Sequence, residues 1–276
     1  GAATGRLSSP RRLASRAVLV ASVVVLSVGL AGWRSLPKLA DPRLAALLEN
    51  PPSGLDKIVD AYGGLRRAHP ADALVHQRAV EALVTYAAAT RDPEERREAL
   101  ATALPYASRA LELSHRESSH VVAASVLLEA GFRSQALIEL KNAWAAEPRS
   151  RRVVDVMLSA DAGPEDFAEA VRLFARRKEE GVTVYPGSVG ELAAGLVDHL
   201  RAERGRTGLA WALARNLLTD TDGPAVPLST PLFRAACHAA TDDGRCRDPK
   251  RCSGAVDGRE HGRFLVDLAG RYPPDP

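Results

Sequence analysis

Residues 131–148 read GFRSQALIELKNAWAAEP. Apolar side chains fall at Ala136, Leu140 and Ala143, the i, i+4, i+7 spacing of one helix face. Gly131 before the stretch is a residue that ends a helix in a left-handed turn, and Pro148 after it is one that cannot continue a helix. The spacing predicts a helix over 133–146, paired across Gly131 with another over 117–130. The same punctuation repeats outward. Asp92-Pro93, followed by two glutamates, predicts a helix reaching Leu113. Before it come helices over 71–90 and from a Ser53 cap to about Arg67, and a short one opened by Asp41-Pro42. After it come 151–160, 164–180, 191–204, 207–218, a helix opened by Ser229-Thr230-Pro231 through His238, and a last one over 259–271. The loop 181–190 holds a short extended piece at 182–185.

Composition supports the same class. The 276 residues are 46% hydrophobic but only 5% aromatic, so the core must be built from Ala, Leu and Val. Such a core suits close-packed helices, whereas sandwiches and barrels favour aromatic and β-branched strands. With alternating strands absent, the expected fold class is all-α. Net charge is +3, from 37 basic and 34 acidic residues, too balanced to predict a nucleic-acid partner. Five lysines leave 32 arginines, an excess read as compositional bias.

Ala17 to Trp33 reads AVLVASVVVLSVGLAGW, without a charge. At about 1.5 Å per residue it spans about 25 Å, and Arg16 and Arg34 can snorkel toward the edges of a bilayer core of about 30 Å. Trp33 lies where an interfacial aromatic belongs. The expectation is a single N-terminal transmembrane anchor; a cleaved signal peptide and a buried soluble helix are the competing readings. Four arginines precede the span, and Arg34, Lys38 and Arg43 follow it. That bias puts the N-terminus in the cytoplasm and the bulk of the chain outside it, on a single-pass cell (inner) membrane. The expected organisation is a basic tail (1–16), the anchor (17–33), a tether (34–54), a helical repeat domain (55–220) and a C-terminal helical cap with a cysteine cluster (221–276).

The helices come in pairs, and the pairs have a period. Ala136 and Leu140 recur 34 residues later as Ala170 and Phe174. Ala103, Ala107 and Ala110 keep the same internal spacing one unit earlier, and Trp211 and Ala214 repeat the large-then-small step one unit later. In the first helices of the pairs, Ala124 and Gly195 supply small residues at the crossings. On these residues, from about Asp72 to Asp220, the chain resembles the tetratricopeptide repeat family. The pattern departs from that family where His120 and Val154 stand for Trp and Arg177 for a small residue, so a generic helical repeat is the other reading. The resemblance implies stacked antiparallel hairpins sharing one core, with a groove lined by the first helices that receives a partner protein. On that register the partner-binding residues are Ser118, Val121, Ser125, Arg152, Asp155 and Ser159.

Cys237, Cys246 and Cys252, with His261, form the only concentration of reactive side chains. Outside the cytoplasm a disulfide among the three cysteines is expected, with connectivity open. A zinc site closed by His261 is the alternative use of the same residues. No haem-attachment, phosphate-loop, zinc-protease or nucleophile-elbow motif is present in the sequence, so neither an enzyme nor a cofactor is expected, and no small-molecule substrate is identified. The expected function is a membrane-tethered scaffold that binds other envelope or membrane proteins. The alternative is an accessory subunit that carries a metal or redox group on the cysteine cluster.

Overall fold

The computed structural model describes residues 42–183, 185–219 and 229–244. Within them the chain is all-helical, with eleven helices and no strand. The elements are α1 (Pro42–Glu49), α2 (Leu55–Ala68), α3 (Ala73–Ala89), α4 (Pro93–Leu113), α5 (Glu117–Glu129), α6 (Arg133–Ala146), α7 (Arg151–Ser159), α8 (Pro164–Glu179), α9 (Val189–Ala202), α10 (Thr207–Thr219) and α11 (Thr230–Asp242). The proposed anchor 17–33 and the helix 259–271 lie outside the described residues. Among the described residues no helix is long and apolar enough to cross a membrane.

Helix ends follow local chemistry. Asp92 caps α4 by accepting the Glu94 amide at 2.8 Å, with Pro93 at the first helical position and Glu94 and Glu95 complementing the helix dipole. Ser188 and Glu191 form a reciprocal capping box at the start of α9, each side chain accepting the other's amide at 3.1 Å. Those contacts, the Ser188 amide first, hold the Glu191 carboxyl below its ordinary pKa. Gly131 (φ 83°) and Gly181 (φ 69°) end α5 and α8 in the left-handed region. There the Phe132 amide donates to Leu127 at 2.8 Å and the Val182 amide to Arg177 at 2.8 Å, satisfying carbonyls that a helix end leaves open. Two expectations need correction here. Gly54 rather than Ser53 occupies the cap position of α2, because its φ of 104° sets the entry of the chain and Ser53 falls one residue too early. The helix opened by Ser229-Thr230-Pro231 runs to Asp242, beyond His238, because Ala239 and Ala240 continue its buried face. The described residues of 182–185 are not in a strand.

Two compact units divide the chain at Ala136, inside α6. In the first, α1 packs on α2, α2 on α3, α3 on both α4 and α5, and α4 on α5. Its core runs through Ile58, Tyr62, Val75, Leu83, Leu100, Tyr106 and Val126, with alanines 79, 87, 99 and 103 between them. A buried hydrogen bond crosses it, from Gln77 Nε2 to Ser119 Oγ at 2.8 Å.

In the second unit, α8 packs on α9 and α10, α9 on α10 and α11, and α10 on α11. Trp144, Met157, Phe167, Phe174, Leu200, Leu213 and Leu232 are fully buried there. Phe174 stands edge-on to Trp144 at 6.3 Å and to Tyr185 at 6.2 Å, the arrangement that aromatic quadrupoles favour.

These contacts set expected stabilities. Phe174→Ala should cost about 3–5 kcal/mol, because a rigid aromatic lattice cannot collapse onto the hole. Ala143→Phe should cost about 1–3 kcal/mol by overpacking a fully buried alanine site. Urea unfolding measures both, and a midpoint unchanged from the parent chain in either variant would contradict the packing described.

Candidate functional site

The residues expected to bind a partner fall into both units, and each group stands by itself. On α5, Ser118 and Ser125 are half-buried, and the Ser125 hydroxyl donates to the Val121 carbonyl at 2.9 Å. Val121 is only 1% exposed, so it belongs to the core and not to an open face. Every residue from Ser119 through Ala124 is buried, with Val122 and Ala123 in the core that α5 shares with α3 and α4.

On α7, Arg152 is half-buried while Asp155 and Ser159 are exposed. The Ser159 hydroxyl is tied down to the Asp155 carbonyl at 2.9 Å. The Asp155 carboxylate is not isolated, because Nε2 of His199 on α9 lies 3.6 Å from it. Glu203, the residue that caps α9, brings a second carboxylate to the same place. One ligand atom from each of Asp155, His199 and Glu203 lies within 4.8 Å of the other two. Imidazole with two carboxylates is a donor set that divalent transition metals accept. Sequence spacing could show His199 and Glu203 sharing a helix face, but not the approach of Asp155 from α7.

Of the cysteine cluster, Cys237 lies on α11 as a free thiol, 1% exposed. Burial pushes it up to about 11. Cys246, Cys252 and His261 lie outside the described residues.

The first unit contains an open cleft of about 490 Å³ that no motif in the sequence marks. Arg66 and Arg67 from the last turn of α2, Pro70 from the following loop, His76 from α3, and Pro105, Arg109 and Glu112 from α4 line it. Pro105 has no amide hydrogen, so the main-chain ladder of α4 is interrupted beside the cleft. The Arg66 guanidinium stacks over the Tyr106 ring at 5.4 Å. That ring lies 5.8 Å from the imidazole of His76.

His76 is 2% exposed. Its Nε2 faces the Pro70 carbonyl at 3.3 Å, and its Nδ1 has no hydrogen-bond partner. Burial holds His76 below its ordinary pKa; the Pro70 carbonyl opposes that shift, and Arg109 and Arg66 reinforce it. Arg109 donates to Glu112 at 2.7 Å. The signal in the sequence was the Arg66-Arg67 pair before His69-Pro70. Nothing local joins that pair to Arg109.

Comparison of the chain with family models, with curated proteins and with solved structures finds no match to any of them.

Cys237 supplies a direct check on this geometry. With Cys246 and Cys252 replaced by serine, iodoacetamide at pH 8 should label the native chain about 100-fold more slowly than the urea-unfolded chain. Moving a thiol from about 9 to about 11 removes that factor of thiolate. Equal rates in the two states would place Cys237 outside the core.

Proposed function

We propose that this protein is a membrane-tethered, non-enzymatic scaffold of the cell envelope, in which a TPR-like array of helical hairpins holds another envelope or membrane protein. Residues 17–33 would provide the tether and leave the bulk of the chain extracytoplasmic. The observation that carries this reading is the order of helix contacts. In the first unit α3 touches its neighbour α4 and the next helix but one, α5; in the second, α9 touches α10 and α11 in the same way. Each hairpin is thereby closed by the helix that follows it, which is what stacked repeats require.

The 34-residue pattern agrees with it. Ala136 and Ala170, and Leu140 and Phe174, occupy equivalent positions and are all fully buried. Where the pattern wants a small residue and the chain has Arg177, the guanidinium lies half-buried and donates to the Asn142 side chain at 2.7 Å and its carbonyl at 3.3 Å. A hydrogen-bonded arginine fills the space that a closer helix contact would take. A tether raises the local concentration of the array for partners in the same membrane, so modest affinity suffices.

Photo-crosslinking in native membranes tests the proposal. A crosslinker at Ser118 or Ser159 of the full chain should give a discrete larger product, while one at the exposed Glu98 should not. Combined reversal of Arg152→Glu and Asp155→Lys should lower the Ser159 yield at least about fivefold, while Asp155→Lys alone, at an exposed position, should lower it and leave helicity unchanged. Recovery of the chain in the soluble fraction with its N-terminus present, or crosslinking that is equal at all three positions, would overturn it.

A further inference from the structure

We propose that the cleft between α2, α3 and α4 binds a small dianion, a phosphate monoester or a dicarboxylate, on the guanidinium groups of Arg66, Arg67 and Arg109, with Nδ1 of His76 as its innermost polar contact. The inference is independent of the scaffold reading and rests on other residues.

Charge is the first observation. Three guanidinium groups and one carboxylate line the cleft, which leaves an excess of two positive charges. Some arginines elsewhere are paired: Arg78 with Glu81, Arg96 with Glu129, Arg97 with Glu94, and Arg201 with Asp198 and Asp242. Among the described residues Arg66 and Arg67 make no ion pair. The dipole of α2 favours cations in its last turn, which accounts for those two. It does not account for Arg109, which α4 brings to the same cleft. Planar guanidinium groups bind phosphate and carboxylate oxygens through paired hydrogen bonds.

The second observation is the orphaned nitrogen. The contact of Nε2 with the Pro70 carbonyl requires a hydrogen on Nε2, so the neutral ring leaves a lone pair on Nδ1, inside the protein and without a donor. Buried polar atoms without partners are uncommon and call for a reason. The charged groups around the ring are Arg66 from α2, Arg109 from α4 and Asp72 at the start of α3, with Arg67 and Glu112 farther along the lining. In the empty cleft the two arginines oppose protonation of the ring. A bound dianion reverses that balance: Nδ1 takes a proton and donates to an anionic oxygen, or accepts from a hydroxyl of the ligand. A volume of about 490 Å³ suits a small metabolite, and the open mouth lets the rest of a larger one project into solvent.

Calorimetric titration of the full chain at fixed ionic strength tests the site. Sulfate serves as the probe because it keeps both charges from pH 6 to pH 8; phosphate, succinate and acetate follow. The expected result is saturable sulfate binding, at least about tenfold tighter than acetate and tighter at pH 6 than at pH 8, because His76 takes up a proton. Tighter phosphate supports a phosphate monoester as the natural ligand, and tighter succinate supports a dicarboxylate. Arg109→Gln and, separately, Arg67→Gln should each weaken binding at least about tenfold. Arg67 has no intramolecular ion pair to lose, so its variant keeps the fold. Arg97→Gln, at an exposed pair elsewhere on α4, should change nothing. Non-saturable binding, acetate equal to sulfate, or binding retained in Arg67→Gln and Arg109→Gln overturns the site. A pH-independent affinity overturns the role given to His76.

Discussion

Close approach of helices through alanine is the constraint on which the rest of this structure depends. Residues 79, 87, 99, 103, 110, 124, 143, 168, 170, 193, 210, 214, 236 and 239 are alanines with no exposed surface. Each removes little apolar area from water, at about 25 cal/mol per Å², so no single one holds the fold. Alanine also loses no side-chain entropy on burial, and it lets the backbones come near enough for dispersion contacts to accumulate. The large side chains are then few and act as plugs. Trp144, Phe167, Phe174 and Met157 fill the spaces of the second unit, and Tyr62, Leu83 and Tyr106 those of the first. A core built this way tolerates neither growth at the alanines nor loss at the plugs.

That constraint explains which parts of the fold were legible in the sequence. Helix limits depend on residues that act locally, so Pro93, Gly131, Pro164 and Gly181 could be read directly, and α6 begins and ends where the sequence placed it. The expected limits differ from the structure at the starts of α2 and α9. Gly54 replaces Ser53 as the cap of α2 because the entry conformation needs a positive φ. α9 begins at Val189, two residues before the reading, because Ser188 and Glu191 cap it reciprocally. The capping-box spacing was there to be seen, and a glycine-rich context hid it.

Functional geometry was less legible, for a different physical reason. α5 is apolar on nearly every side, since Val121, Val122, Ala123, Ala124 and Val126 are all buried. Periodicity cannot select an open face on such a helix; only the neighbours do, and Val121 is buried. Asp155 is exposed, but its company of His199 and Glu203 depends on two helices meeting. The cleft is the stronger case. Its lining runs from Arg66 to Glu112, across three helices, and no window of sequence holds both ends.

The arginine excess links composition to these sites. A chain with 32 arginines and only five lysines must place guanidinium groups in many environments, and Arg78, Arg97, Arg109 and Arg201 fall beside carboxylates one turn away. Such exposed pairs contribute about 0–1 kcal/mol each, so they keep the surface soluble more than they hold the fold. Convergence of cations has the opposite sign. Arg66, Arg67 and Arg109 repel one another across a cleft with one carboxylate at its edge, and their field also opposes protonation of the buried ring of His76. Solvent screening keeps that repulsion small while the cleft is open. The core between α2, α3 and α4 is held by Tyr62, Val75, Leu83 and Tyr106, to which the arginines add only the stacking of Arg66 over Tyr106 and the bond of Arg109 to Glu112 at the rim. Glutamine in place of Arg67, which makes no ion pair among the described residues, would relieve part of the repulsion and leave those contacts untouched. Positive charge gathered where the core does not need it, over a buried nitrogen that lacks a partner, is better accounted for by what enters the cleft than by what surrounds it.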